Sequence, residues 1–208
     1  MKQPLLQLHD EPIGAGKERV CYRHPDDPGK VVKIQKGEVE KQTRRELSFY
    51  RWMQRRNMNN FKHLPRFYGQ VETNLGRGFV VDLVSDYDGT ISKSLYWHFE
   101  RGYSISEFIP YLEELRQYLV ENLIVFSVDM SRFNVLFNRV SNREARLVVI
   151  DGLGNHSAIN WLDEIPYFAR RKIKRRWDRF FLKLQYNSET LMKQYGGSPR
   201  VLDRGPDV

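Results

Sequence analysis

Apolar residues recur along this chain with two different periods, and the change from one to the other divides it. Leu5 to Ile13 leads into a glycine-rich turn, Gly14-Ala15-Gly16-Lys17-Glu18-Arg19, and Val20-Cys21-Tyr22 continues as a strand. His24-Pro25-Asp26-Asp27-Pro28-Gly29 reads as a tight turn. Val31-Val32-Lys33-Ile34 then returns as the next strand, β-branched at Val31, Val32 and Ile34. From about Glu38 to Arg56 the period lengthens. Val39, Leu47, Tyr50 and Met53 fall on a helical stripe, with Glu46 on the same side. Pro65 marks a break, after which 66–72 and 78–84 read as strands, and the acidic turn from Asp82 to Gly89 closes the β-rich half.

The second half is mainly helical. Phe108, Leu112, Leu115, Leu119 and Leu123 form a strong apolar stripe that predicts a helix over 106–122. Two short strands follow, Val135-Leu136-Phe137 and Leu147 to Ile150, joined by a polar loop. Ile173, Trp177, Phe180, Phe181 and Leu184 give a last amphipathic helix. The expected architecture is therefore α+β, with a β-rich lobe over 1–88, a helical lobe over 89–190 and a disordered tail over 191–208. Repeats, low-complexity tracts and long Gly/Ser linkers are absent.

Composition narrows this picture. The chain's 208 residues suffice for one good-sized domain or two small lobes, and 40% hydrophobic with 13% aromatic content excludes intrinsic disorder. No apolar run approaches the ~20 residues of a spanning helix, and the first residues lack the apolar core of a secretory signal. The expected location is the cytoplasm. Cys21 is the only cysteine and the five histidines show no i, i+4 pairing, which argues against a thiolate or histidine metal site. The net charge of +8 is concentrated: eight basic residues and one acidic residue, Asp178, lie between Arg170 and Lys183. Such a run is either a solvated helix face or a binding face. With Trp177, Phe180 and Phe181 beside Arg175, Arg176 and Arg179, it fits docking on an anionic membrane surface. Nucleic acid is the weaker partner, because no recognised nucleic-acid module accompanies the run.

The candidate chemistry lies in the order of five polar elements. Gly14-x-Gly16 between strands lets a backbone approach phosphate oxygens without Cβ interference, or is an ordinary hairpin turn. It is not a Walker-type loop, since no Ser or Thr follows Lys17 and no helix begins there. Lys33, among β-branched residues, either snorkels to solvent or faces a buried anion. Glu46 on an apolar helix face needs a partner. That partner is Lys33, or else Arg45 or Arg51 at an exposed edge. Asp129 and Asn134 stand five positions apart after the most periodic helix, a spacing that suits a general base and a Mg²⁺ ligand. Asp151 after the second short strand would be a further metal-binding carboxylate. Turn-capping roles are the alternatives for Asp129 and Asp151. Asp82, at the end of the β-rich half, is a further candidate contact for a nucleotide.

Strand–Lys, helix–Glu, helix–Asp-x4-Asn, strand–Asp is the order of parts in a protein-kinase-like fold. The chain resembles, over roughly 10–185, the YrbL family of PhoP regulatory network proteins, which is grouped with that fold. The matching stretches are Cys21 to Asp27, Val32-Lys33-Ile34, Arg44-Arg45-Glu46-Leu47, Pro65 to Thr73, Asp86-Tyr87-Asp88-Gly89 and Asn134-Val135-Leu136. The resemblance implies a compact bilobal fold whose helical lobe is truncated, and membership of a regulon responding to magnesium and envelope stress. It implies ATP and Mg as cofactors. Gly14 and Gly16 would cover the phosphates, Lys33 would contact them, and Glu46 would orient Lys33. Asp129 would be the base, with Asn134 and Asp151 holding metal.

Departures bear on turnover. Ser127-Val128 replace the usual His-Arg, Ser131 stands where protein kinases carry a phosphate-contacting lysine, and Asp151-Gly152-Leu153-Gly154 differs from Asp-Phe-Gly. Arg19 occupies the place of the third glycine. No Ala-Pro-Glu follows, and 57 residues remain after Asp151. The expectation is a kinase-like phosphotransferase with a small-molecule or envelope-lipid acceptor. The alternative is a pseudokinase-type regulatory protein without turnover, docked on the inner-membrane surface.

Overall fold

The computed structural model describes residues 5–9, 11–16, 18–37, 41–127, 130–153, 161–195, 200 and 202. The chain divides into two compact units, Met1–Phe61 with Pro65–Ser85, and Lys62–Leu64 with Asp86–Val208. Both mix helix with antiparallel sheet.

In the first unit the strands are β1 (Gly14–Ala15), β2 (Arg19–His24), β3 (Asp27–Gln35), β4 (Phe67–Thr73) and β5 (Gly76–Asp82). Helix α1 (Lys41–Arg55) connects β3 to β4. The sheet order is β1-β2-β3-β5-β4, every pair antiparallel. Strand β3 is central and buried from Val31 to Ile34, as its β-branched run requires. Period-two alternation then sorts the side chains. Val32, Ile34 and Val80 pack with Leu8 on one face of the sheet. On the other face Lys33 lies opposite Cys21 and Phe79, and the ring of Tyr50 from α1 sits 4.8 Å from Phe67 and 6.4 Å from Phe79. Phe67 reaches that face because the β4–β5 register shifts between Phe67 and Gly69, where Gly69 takes φ +122°. The predicted helical stripe of Leu47, Tyr50 and Met53 is buried, and Val39 lies outside the described residues.

The second unit contains β6 (Lys93–Ser94), α2 (Leu95–Glu100), a 3-10 turn (Ile105–Phe108) and α3 (Ile109–Glu121). Then come β7 (Val135–Arg139), β8 (Ala145–Val149), a second 3-10 turn (Trp161–Glu164) and α4 (Pro166–Tyr195). β6, β7 and β8 make a three-stranded antiparallel sheet. Phe108, Leu112, Leu115 and Leu119 are buried as the stripe predicts, but the helix starts at Ile109. Pro110 lies in its first turn, where the missing N–H costs nothing, and the residues before it take 3-10 geometry. α2 is too short for a period to be read. Its one local signal is Ser94, whose hydroxyl accepts from the Trp97 amide at 3.2 Å.

α4 buries Ile173, Trp177, Phe180 and Leu184, with Trp177 and Phe180 edge-on to Phe126. Arg176 is buried too and donates to the Phe126 carbonyl. Trp177, Phe180 and Arg176 therefore belong to the core, contrary to the membrane-facing role expected of them. Of the tail expected to be disordered over 191–208, residues 191–195, 200 and 202 are described. α4 continues to Tyr195 with Leu191 buried, the Arg200 amide donates to Gly102, and Leu202 is buried.

Candidate functional site

The glycine turn is the tip of the β1–β2 hairpin. Gly14 pairs with Cys21 and Ala15 with Val20, and the Gly16 amide donates to the Arg19 carbonyl at 2.8 Å. A Cβ at Gly14 would meet nothing within 4 Å, so this backbone is open to an approaching group. Lys36 reaches over from the end of β3 and donates its ammonium to the Gly16 carbonyl at 3.0 Å.

Lys33 does not snorkel. Its ammonium lies 2.8 Å from Glu46 Oε1, and both side chains are almost fully removed from solvent. Period two on β3 turns Lys33 toward α1, and the helical stripe of α1 turns Glu46 toward the sheet. Arg45 and Arg51 are not the partners of Glu46. Its second oxygen is taken instead by the Arg19 guanidinium, itself buried. Arg19 and Cys21 share a sheet face, and Cys21 is the cross-strand partner of Lys33, so Arg19 sits diagonally across from Lys33. The guanidinium carbon lies 5.9 Å from the Phe79 ring centroid and the Lys33 ammonium 5.6 Å from it. Sequence reading marked Arg19 only as a missing glycine. The readable signal was its two-residue offset from the strand position facing Lys33.

Asp82 closes the other end of the sheet. Its carboxylate accepts the Arg66 amide at 2.8 Å and the Tyr68 hydroxyl at 2.7 Å, tying β4 to β5. The bond to Asp82 raises the Tyr68 phenol above its ordinary pKa, with Lys30 stacked 4.2 Å over the ring.

In the second unit, Asn134 immediately precedes β7 and Asp151 follows β8. Val135 pairs with Val149, and the Ile150 amide donates to the Asn134 carbonyl at 2.9 Å, so both candidate metal ligands stand at one end of the hairpin. Ser127 and Gly152 are joined by a 2.7 Å hydrogen bond, and Phe126 bridges Leu153, so Phe126 and Ser127 run beside the residues that follow Asp151. Gly152 takes φ +80°, and a Cβ there would lie 3.3 Å from Met130 Cα. Its amide donates to Asp151 Oδ1 at 2.6 Å. The stretch from Ile124 to Ser127 is entered from Leu123, a non-glycine residue at φ +54° just after the end of α3. Asp129 lies outside the described residues. Among the described residues no group of three or more His, Cys, Asp or Glu could hold a metal ion.

A second polar network surrounds the Asp86-Tyr87-Asp88-Gly89 turn. Asp86 accepts from the Arg139 guanidinium at 2.8 Å, the Arg139 amide at 3.1 Å and the Ser92 hydroxyl at 2.5 Å. Arg139 also reaches Asp88 at 2.6 Å, and Asn138 donates to Ser92 at 3.0 Å. The hydrogen bond that Arg139 donates to Asp86 pushes the Arg139 pKa up from its ordinary value.

These features define an α+β protein with a buried Lys–Glu–Arg triad on its five-stranded sheet and an Asn/Asp pair at the mouth of a separate hairpin. Residues 6–185 match the family described as PhoP regulatory network protein YrbL, and the chain belongs to that family. It is 34% identical over 183 residues to the uncharacterized protein YrbL of Escherichia coli K12, which covers 85% of this chain and 86% of that protein. Its similarity to the YrbL of Shigella flexneri has the same extent. No helix among the described residues is long and apolar enough to cross a membrane.

Proposed function

We propose that this protein is a kinase-like phosphotransferase that binds Mg-ATP and passes a phosphoryl group to a small-molecule or lipid acceptor within the PhoP regulatory network. The carrying observation is the buried Lys33–Glu46 pair at 2.8 Å, with the lysine on a central strand and the glutamate on the helix that follows it. A buried lysine fixed by one carboxylate is a positioned cation for phosphate oxygens. The open backbone at Gly14 leaves room for those oxygens to approach, and the oxygen donors of Asn134 and Asp151 are of the kind magnesium takes. ATP would supply the transferable phosphoryl group and magnesium would neutralise its charge. Asp129 is the proposed base and Asp82 a proposed nucleotide contact.

A second reading is a regulatory nucleotide-binding protein without turnover. Ser127 and Ser131 favour it, because they leave the loop without the cationic groups that usually support the base and the phosphate. One experiment separates the outcomes. Thermal unfolding is followed with and without ATP and Mg²⁺ for the wild type and Asp151→Asn. At 100-fold excess over the dissociation constant the native state gains ~2.7 kcal/mol, and the substitution removes the magnesium-dependent part. An absent shift in the wild type would sink both readings. A shift with an ATPase rate unaltered by Asp129→Asn would leave only the second.

A further inference from the structure

The sequence places a basic, aromatic segment at 170–184, and the structure hands its aromatic residues Trp177 and Phe180 to the core. What α4 leaves outside is a different stripe. Tyr167, Arg171, Arg175, Arg179, Leu182 and Tyr186 follow one another at steps of four, four, four, three and four, and all six are exposed. Such steps place them within about a third of the helix circumference, along roughly 28 Å of its length. The stripe reads apolar at both ends and cationic between. Phe168, 42% exposed and edge-on to Tyr167 at 5.4 Å, widens the apolar patch at one end. Leu182 and Tyr186 form the other, 64% and 71% exposed. On this side of the helix the acidic Asp178 pairs with Lys174 at 2.9 Å, and the three arginines are not its partners. A recess of about 670 Å³ opens at the first turns, where Ile165, Pro166 and Tyr167 meet Arg170, Arg171 and Lys174.

We infer that the outer face of α4 docks flat on a bilayer bearing acidic headgroups. The three arginines would lie at the phosphate level, and Tyr167, Phe168, Leu182 and Tyr186 would reach the boundary with the acyl chains. Charge complementarity requires an anionic partner, and the excess of cations is large along one side of one helix. The apolar ends select among anionic partners. A nucleic acid rewards the arginines and could stack the tyrosines, but leaves Leu182 in water. A bilayer offers acidic phosphates and an apolar layer together, and it meets a straight ridge along its whole length. This face belongs to the second unit and does not depend on nucleotide binding.

The test uses the full chain, cosedimented with phosphatidylcholine vesicles and with vesicles that also contain phosphatidylglycerol. The wild type is retained by the acidic vesicles and not by the neutral ones. Arg171→Gln/Arg175→Gln/Arg179→Gln weakens retention by about a hundredfold, since each cation near an acidic surface contributes roughly a factor of five. Leu182→Ser/Tyr186→Ser weakens it chiefly at raised salt, where the electrostatic attraction is screened. All five side chains are exposed, so unchanged melting shows that the fold is kept, and the apolar pair tests the inference alone if the arginine triple variant melts early. Equal retention on neutral vesicles, wild-type retention by the arginine variant, or wild-type retention by the Leu182/Tyr186 variant at raised salt overturns the inference. So does displacement by an RNA oligonucleotide that binds the Leu182→Ser/Tyr186→Ser variant as tightly as the wild type; that outcome would assign the face to nucleic acid.

Discussion

Lys33 and Glu46 meet at 2.8 Å with side-chain exposures of 8% and 2%, and the same carboxylate also receives the Arg19 guanidinium. Glu46 thus joins two buried cations at once, and removing it should cost more than removing either cation. Glu46→Ala is expected to lower stability by about 3–5 kcal/mol, the usual cost of breaking a buried pair from one side. Urea unfolding with a constant slope measures this. A loss below about 1 kcal/mol would be that of an exposed surface pair and would contradict the buried arrangement.

Stability should also fall in mild acid, through His98. Burial among Trp97, Tyr103, Phe108 and Phe137 pulls its pKa from 6.5 down to about 4, with ring centroids 5.0, 5.3, 5.4 and 5.5 Å away. Asp86 acts in the opposite direction, while Arg101 and Arg139 reinforce the lowering. The unfolded chain binds this proton below pH 6.5, whereas the folded chain refuses it until about pH 4. The contribution is therefore fully present above 6.5 and lost as the pH falls through that window, on the order of 3 kcal/mol in all. His63, whose pKa burial also lowers, adds in the same direction. Unfolding free energies measured across this range should slope downward, and His98→Phe should flatten the slope. An unchanged slope in that variant would remove His98 as the cause.

How much of this was legible depended on whether a signal was local or crossed strands. Val31 to Ile34 and the stripe of Leu47, Tyr50 and Met53 announced a buried strand and a one-sided helix, and their periods turned Lys33 and Glu46 toward each other. The choice between Lys33 and the neighbouring arginines needed the sheet register, which no local period contains. Arg19 needed it twice over, because its position follows from the Cys21–Lys33 pairing and from α1 lying on that face. Trp177 and Phe180 show the opposite failure. Their period is amphipathic, but a stripe alone does not say whether protein or lipid covers it. Asn134 and Asp151 were legible as a hairpin pair because each flanks a short apolar strand.

The turn at Asp86 offers a contrast between two carboxylates on one guanidinium. Asp86 is 10% exposed and accepts three hydrogen bonds, whereas Asp88 is 38% exposed. Asp86→Asn is expected to cost about 2 kcal/mol, because it replaces charge-assisted bonds and leaves Arg139 partly desolvated. Asp88→Ala should cost under about 1 kcal/mol, since solvent screens that pair. Equal losses in thermal or urea unfolding would show that burial does not distinguish them.

The sharing of Glu46 makes a non-additive prediction. In Lys33→Met the carboxylate keeps Arg19, and in Arg19→Met it keeps Lys33, so each single change should cost about 1–3 kcal/mol. The double variant strands a carboxylate that is 2% exposed, and its loss should exceed the sum of the singles by about 1–2 kcal/mol. On the proposed reading the two cations also divide by task. Lys33 turns to phosphate while Arg19 keeps Glu46 anchored, so Lys33→Met abolishes the stabilisation by Mg-ATP and Arg19→Lys largely preserves it. Additive losses would mean that the two cations do not compensate for one another at Glu46. Equal loss of the nucleotide shift in Lys33→Met and Arg19→Lys would mean that Arg19 contacts the nucleotide itself and is not an anchor for Glu46.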